Sequence, residues 1–292
     1  STATMRDSRK HFIVGRDGRE YPSHTPPVQW VNGGIGVGIE PETHVAWMTE
    51  ADAEAEALEE LTAAIEPIRA EHFAEAMALV RDGQATPSRL DAMRSRYEIR
   101  YLREVNKYVL RLRELAAAQT LEIAKSQSLD APSIPELGLR SSTVDQLAAS
   151  VAARATSTVR AQVAQASASI ASRVQADATN AAITSRVEPR VTLKGLAAEA
   201  RAAGDVAAES QRVLTSVRDA PSGLTLIGFI RTDARDREVC PPCLSQHGMN
   251  WVFPFDDLAF VAYTEQRGPP DRECEGGFRC RCRLVPVYGR AG

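Results

Sequence analysis

No aromatic residue occurs between positions 109 and 228: all 16 lie outside that 120-residue stretch, eight before it and eight after. A core of large rings is therefore excluded there, and what fills the gap is Ala, Ser, Val, Gln and Arg. No run approaches the roughly 18 to 20 apolar residues of a membrane span, and the opening STATMRDSRK has no apolar stretch behind its charges to act as a signal peptide. The expectation is a soluble protein made in the cytosol. Excess charge of one sign is missing too: 35 basic against 38 acidic residues gives −3, which argues against both disorder and a basic nucleic-acid coat over the whole chain. The glycines of Asn32–Gly38 lack the G-x-G-x-x-G spacing of a dinucleotide loop and the Gly-Lys-Ser/Thr ending of a phosphate loop. There are only five histidines and five cysteines, and four of those cysteines fall in the last 50 residues, with Cys240 just upstream.

What is present reads as a composite of α+β class: a long, mainly helical body followed by a small β-rich, cysteine-containing module. Residues 1–48, with Pro22, Pro26, Pro27 and Pro41, hold no helical period and read as an extended arm anchored by Trp30 and Trp47. Thr49-Glu50-Ala51-Asp52 resembles a capping box, and Leu58, Leu61, Ile65, Ile68, His72, Met77 and Val80 follow at helical spacing until Asp82-Gly83. Pro67 is expected to kink or divide that helix. Thr86-Pro87 starts a second, with Leu90, Met93, Tyr97, Tyr101, Val105, Tyr108, Leu112 and Leu115 on one face. Residues 49–128 thus form a helical hairpin. Its first arm (50–82) carries ten acids and two bases, −8, and its second (87–128) nine bases and five acids, +4, so the arms can neutralise each other.

Residues 129–140, LDAPSIPELGLR, read as a breaker-rich linker, and 141–218 as an Ala-rich helical region. From Ser142-Thr143-Val144-Asp145 a helix runs to about Val187, with a small apolar stripe at Val144, Leu147, Val151, Ala155, Val159, Val163, Ala166, Ile170 and Val174. The mean step, 30/8 or 3.75, exceeds 3.6, so the stripe winds slightly right-handed. Such a stripe permits close packing but buries little area per turn, so the rod needs partners: another segment of the chain, or a second copy through helical contacts. Residues 192–218 are also helical, with Gly204-Asp205 as an expected break or second cap.

The composition changes after Pro221-Ser222-Gly223, in the module spanning 219–292. Leu224–Ile230, Trp251–Phe253 and Leu284–Val287 read as strands. The cysteines are Cys240-Pro241-Pro242-Cys243, then Cys274, then Cys280-Arg281-Cys282. Two close pairs can supply four thiolates to one tetrahedral, structural Zn²⁺, with Cys274 and His247 as substitute ligands. Buried thiols and late-forming disulfides are alternatives that spacing leaves open. A redox C-x-x-C is disfavoured because no helix start follows Cys243, and a Cys-His nucleophile on His247 lacks an identifiable orienting residue. Residues 224–292 hold nine arginines, no lysine and nine acids. Any nucleic-acid contact there would use the edge Arg279, Arg281 and Arg283.

An apolar strand, then T-D-x-R-D-R-E-V-C-x-x-C, a loop of some 35 residues, and a terminal C-R-C before another apolar strand resemble the phage Mu F-like minor head (head morphogenesis) protein family. The resemblance covers residues 224–288 and falls on Asp236, Cys240, Cys243, Cys280 and Cys282. Two departures are visible. His247-Gly248 stands where the family often has Asp-Gly, and Gly277-Phe278-Arg279 where it often has a His-Pro. The missing His leaves a four-thiolate arrangement as the natural substitute. The resemblance implies a non-enzymatic structural protein of the tailed-phage head, at or near the portal vertex. Its implied partners are the portal and major capsid proteins and packaged or entering phage DNA; it would reside in the host cytoplasm during assembly and then in the virion head. With ten residues after Cys282, the toxin or protease domain of some relatives is not expected. The alternative from another class is a zinc-stabilised nucleic-acid-binding adaptor.

Overall fold

A computed structural model describes residues 12–14, 20–22, 41–127, 133–134, 141–185, 187–232, 241–244, 250–252 and 283–291. In chain order these form β1 (Phe12–Val14), β2 (Glu20–Pro22), α1 (Pro41–Arg81), α2 (Pro87–Gln127), β3 (Ser133–Ile134), α3 (Ser141–Ile183), α4 (Leu193–Arg218), β4 (Leu224–Thr232), α5 (Pro241–Leu244), β5 (Asn250–Val252) and β6 (Arg283–Ala291). The fold is mostly helical with a small, largely antiparallel sheet, and it divides into two compact units.

The helical unit comprises residues 48–118 and 150–211. Its core draws on all four long helices. From α1 come Leu61, Ile65, Phe73 and Met77, and from α2 Met93, Tyr97, Tyr101, Val105, Tyr108 and Leu112. The α3 stripe continues past Val163, Ala166, Ile170 and Val174 to Ala178 and Ala181, while α4 offers Leu196, Ala200, Ala203 and Ala207. The expected hairpin is present. Thr86 caps α2 by accepting the Arg89 N–H at 3.3 Å, ahead of Pro87 at the first helical position. The link between α3 and α4 is stapled by Asp177, a buried side chain whose Oδ2 accepts the N–H groups of Arg190 and Val191 at 2.9 and 3.1 Å.

Several expectations are corrected here. The first helix starts at Pro41, within the segment read as an extended arm, because proline suits a first helical turn. Thr49–Asp52 therefore lies inside a helix, and β1 and β2 pair antiparallel upstream. Pro67 does not divide α1. Pro67 and Ala63, whose carbonyl loses its usual donor, are both exposed, so water can take the freed acceptor. The helix α3 ends at Ile183, four residues before Val187. Gly204 does not break α4 either; it permits close approach. A Cβ there would meet Leu112 Cδ1 at 2.4 Å and Tyr108 Cε1 at 2.8 Å.

The second unit comprises residues 1–47, 119–149 and 212–292. Its sheet has the order β3-β6-β4-β5. The main pair, β4 with β6, runs antiparallel from Leu224↔Arg290 to Thr232↔Arg283, with a bulge between Leu226 and Gly228. Strand β5 adds to β4, with Phe229 opposite Trp251. All three strands were legible as apolar, β-branched or aromatic runs. The linker holds a surprise: Ser133 and Ile134 form β3, parallel to the end of β6. At Gly223 (φ +80°) the turn Pro221–Leu224 needs a left-handed residue, and the Leu224 N–H closes it on the Pro221 carbonyl at 3.0 Å. Phe229, Leu284, Val287 and Tyr288 are buried, as are Val213, Leu214 and Val217 of α4. The Tyr288 hydroxyl donates to the Ser216 carbonyl at 3.4 Å, and burial pushes its pKa up to about 12.

Gly204→Ala is expected to destabilise the protein by about 1 kcal/mol, because overpacking costs of roughly 1–3 kcal/mol outweigh about 1 kcal/mol of helix propensity. Chemical denaturation checks the sign, and in the Leu112→Ala background the added loss should shrink or vanish.

Candidate functional site

Antiparallel pairing of β4 and β6 brings the two ends of the cysteine-bearing segment together. Thr232, which leads into Asp233–Cys240, is register partner to Arg283, which directly follows Cys282. Of the expected metal ligands, Cys243 lies in the described backbone, in the four-residue helix α5. Cys240, Cys274, Cys280, Cys282 and His247 lie outside the described residues, as do Arg279 and Arg281. Among the described residues no group of three or more His, Cys, Asp or Glu side chains is placed to hold a metal ion.

Arg283 departs from the expected basic edge. It opens β6 and is buried, 7% exposed, while Arg231 of β4 is fully buried. Both residues make interactions within the fold, although the buried Nε of each has no hydrogen-bond partner. Arg283 therefore does not present itself to a phosphate backbone. On α4, Arg212 is 2% exposed and donates from Nε to Gln119 Oε1 of α2 at 3.3 Å. The unit that holds the sheet thus buries three arginines, where a reading that assigns arginine to surfaces would expect none.

The helical unit holds a second polar cluster, centred on His72 of α1. The sequence reading placed His72 on an apolar face, and it is fully buried there. Its ring stacks on Tyr97 with centroids 4.2 Å apart and planes 9° from parallel. Nδ1 lies 3.5 Å from the Tyr101 hydroxyl, at the outer limit of a hydrogen bond. The side-chain amide of Gln175 on α3 approaches the same ring, yet neither Nε2 nor Gln175 Oε1 has a partner in good hydrogen-bond geometry. The Tyr97 hydroxyl donates to Glu75 Oε2 at 2.8 Å, and Arg96 pairs with the other Glu75 oxygen. Arg100 bonds Glu71 at 2.8 Å, and its guanidinium lies 5.1 Å from the Tyr97 ring centroid. These two ion pairs are the neutralisation expected between the oppositely charged arms.

Burial dominates the electrostatics. It lowers the His72 pKa to about 4, against the weaker pull of Gln175 and Glu75, so the ring is neutral at pH 7. Burial and the Glu75 carboxylate push Tyr97 well above its ordinary value, and burial does the same to Tyr101. For Glu75 burial acts upward, but the Tyr97 hydroxyl and Arg96 outweigh it and leave the carboxyl below its usual range. Two protonated phenols, a neutral imidazole and a carboxylate form a bracket between helices. No nucleophile is activated in it. The tyrosines were legible as core; that His72 would join them through stacking depended on the pairing of α1 with α2.

Compared with protein-family profiles, curated proteins and solved structures, the chain has no match.

The bracket makes stability depend on acid. With the folded pKa of His72 below the unfolded value of 6.5, its contribution is complete above pH 6.5 and is lost as pH falls towards 4, by about 3 kcal/mol in all. The Glu75 carboxyl, held below its ordinary value, keeps its contribution above about pH 4.5 and loses it as pH falls further. Urea titrations at a series of pH values should show His72→Phe, which keeps an aromatic ring but has no proton to gain, with a shallower slope between pH 6.5 and 4 than the parent.

Proposed function

We propose that this protein is a structural, non-enzymatic minor head protein of a tailed phage, acting in head morphogenesis at or near the portal vertex. The observation that carries the reading is the cysteine-bearing motif together with its framing: T-D-x-R-D-R-E-V-C-x-x-C leaves β4, C-R-C enters β6, and the two strands pair at those ends. Bringing the roots of two cysteine pairs together is what a four-thiolate site on Cys240, Cys243, Cys280 and Cys282 requires. A structural Zn²⁺ there would tie the long intervening segment to the sheet. Its contribution to folding would be on the order of 10 kcal/mol, large for so small a sheet. The helical unit supports an assembly role in another way. Part of its charge is spent on pairing α1 with α2, and the exposed side chains left on the outer helix faces are available to partners. Portal and major capsid proteins are the partners assigned to it.

Two experiments bear on this reading. In lysates of infected cells, a tagged copy should co-purify with the portal and major capsid proteins; recovery of neither, with the tagged protein intact, would sink the assignment. Zinc analysis of protein prepared without chelator should give about one equivalent, and less than about 0.2 would remove the four-thiolate site.

A further inference from the structure

The opposite charges of α1 and α2 are only partly spent inside the helical unit. Glu71 and Glu75 pair with Arg100 and Arg96 along the shared edge. Glu56, Glu59, Glu60 and Glu66 are exposed on the outer side of α1, and among the described residues none of them makes an ion pair. No basic residue interrupts that stretch. On the outer side of α2, Ile99 and Leu110 are 62% and 56% exposed. Eleven residues separate them, about 20° from perfect superposition and about 16 Å along the axis. Arg103, exposed and without an ion-pair partner among the described residues, lies between them. Single exposed apolar side chains are ordinary. Two on one stripe with an unspent cation between them form a face.

The outer side of α1 has the complementary shape and charge. Ala63 and Ala74, both exposed, are also eleven residues apart, and they leave recesses at the spacing of Ile99 and Leu110. Beside Ala63 stand Glu59 and Glu66, acids that can meet Arg103.

We infer that this chain self-associates by laying the Ile99–Arg103–Leu110 face of α2 in one copy along the acidic, alanine-recessed face of α1 in a second copy. The contact is heterologous: each copy keeps a free α1 face at one side and a free α2 face at the other. Further copies therefore add, to a closed ring or an open chain. The inference stands apart from the phage assignment, because it uses only residues of the helical unit and would hold in a protein of another role.

Sedimentation velocity of the full chain over micromolar concentrations tests it. The parent should form species larger than dimer, weakened by salt because bases meet acids across the contact. Leu110→Glu and the double variant Glu59→Arg/Glu66→Arg should each weaken self-association at least about tenfold. All three positions are outward-facing, so far-UV circular dichroism should match the parent. The decisive arm is a mixture of the two variants: each retains the face the other lost, so together they should form a heterodimer and stop there. A parent that stays monomeric, self-association indifferent to Leu110→Glu, or a mixture that fails to pair would overturn the proposal. Failure to recover portal or capsid proteins from infected lysate would leave these outcomes unchanged.

Discussion

Alanine is the constraint on which the helical unit depends. A helix face built from Ala and Val removes little surface from water per turn, so it stabilises a bundle only where backbones come close enough for many small contacts to form. Gly204 marks the limit of that approach, with Tyr108 and Leu112 filling the space a Cβ would take. Large residues on α1 and α2 thus pack against small ones on α3 and α4, which explains how a chain can go 120 residues without an aromatic ring and still close a core. The rings of Tyr97, Tyr101 and Tyr108 come from the neighbouring helix.

The same close packing accounts for the polar bracket. Once α1 lies against α2, His72 cannot reach water and stacks on Tyr97, while the Tyr97 hydroxyl finds its acceptor in Glu75 across the same edge. The cluster is neutral where it is deepest and charged where it meets solvent, as desolvation costs require. The second unit follows another rule. Its core is carried by apolar strands, and Arg231, Arg283 and Arg212 are buried in it, the last donating to Gln119.

Local signals were legible where the chemistry is local. Thr86-Pro87, Asp82-Gly83 and Pro221-Ser222-Gly223 marked element ends because caps and turns are decided by neighbouring residues. The 3.6-residue pattern of α1 and α2 and the apolar runs of β4 and β6 were equally plain. Where the reading failed, a distant residue had changed the meaning of a local one. Gly204 resembled a breaker until Tyr108 explained its missing side chain. The linker gained β3 when Ser133 paired with Arg290 of the distant β6. Of the cysteine module, the sequence showed the motif and its flanking strands.

Sequence alone determined the α+β composition, several ends of the long helices and of β4, the charge asymmetry of the two arms and the position of the cysteines, all properties of a residue and its near neighbours. The tertiary structure decided that β4 and β6 pair in antiparallel register at the motif's two ends, that His72, Arg231 and Arg283 are buried, and which glutamates of α1 keep their charge unspent. Those outcomes depend on what a residue meets after the chain has folded back on itself, and the free energy of burial or pairing belongs to both partners and cannot be read from either alone.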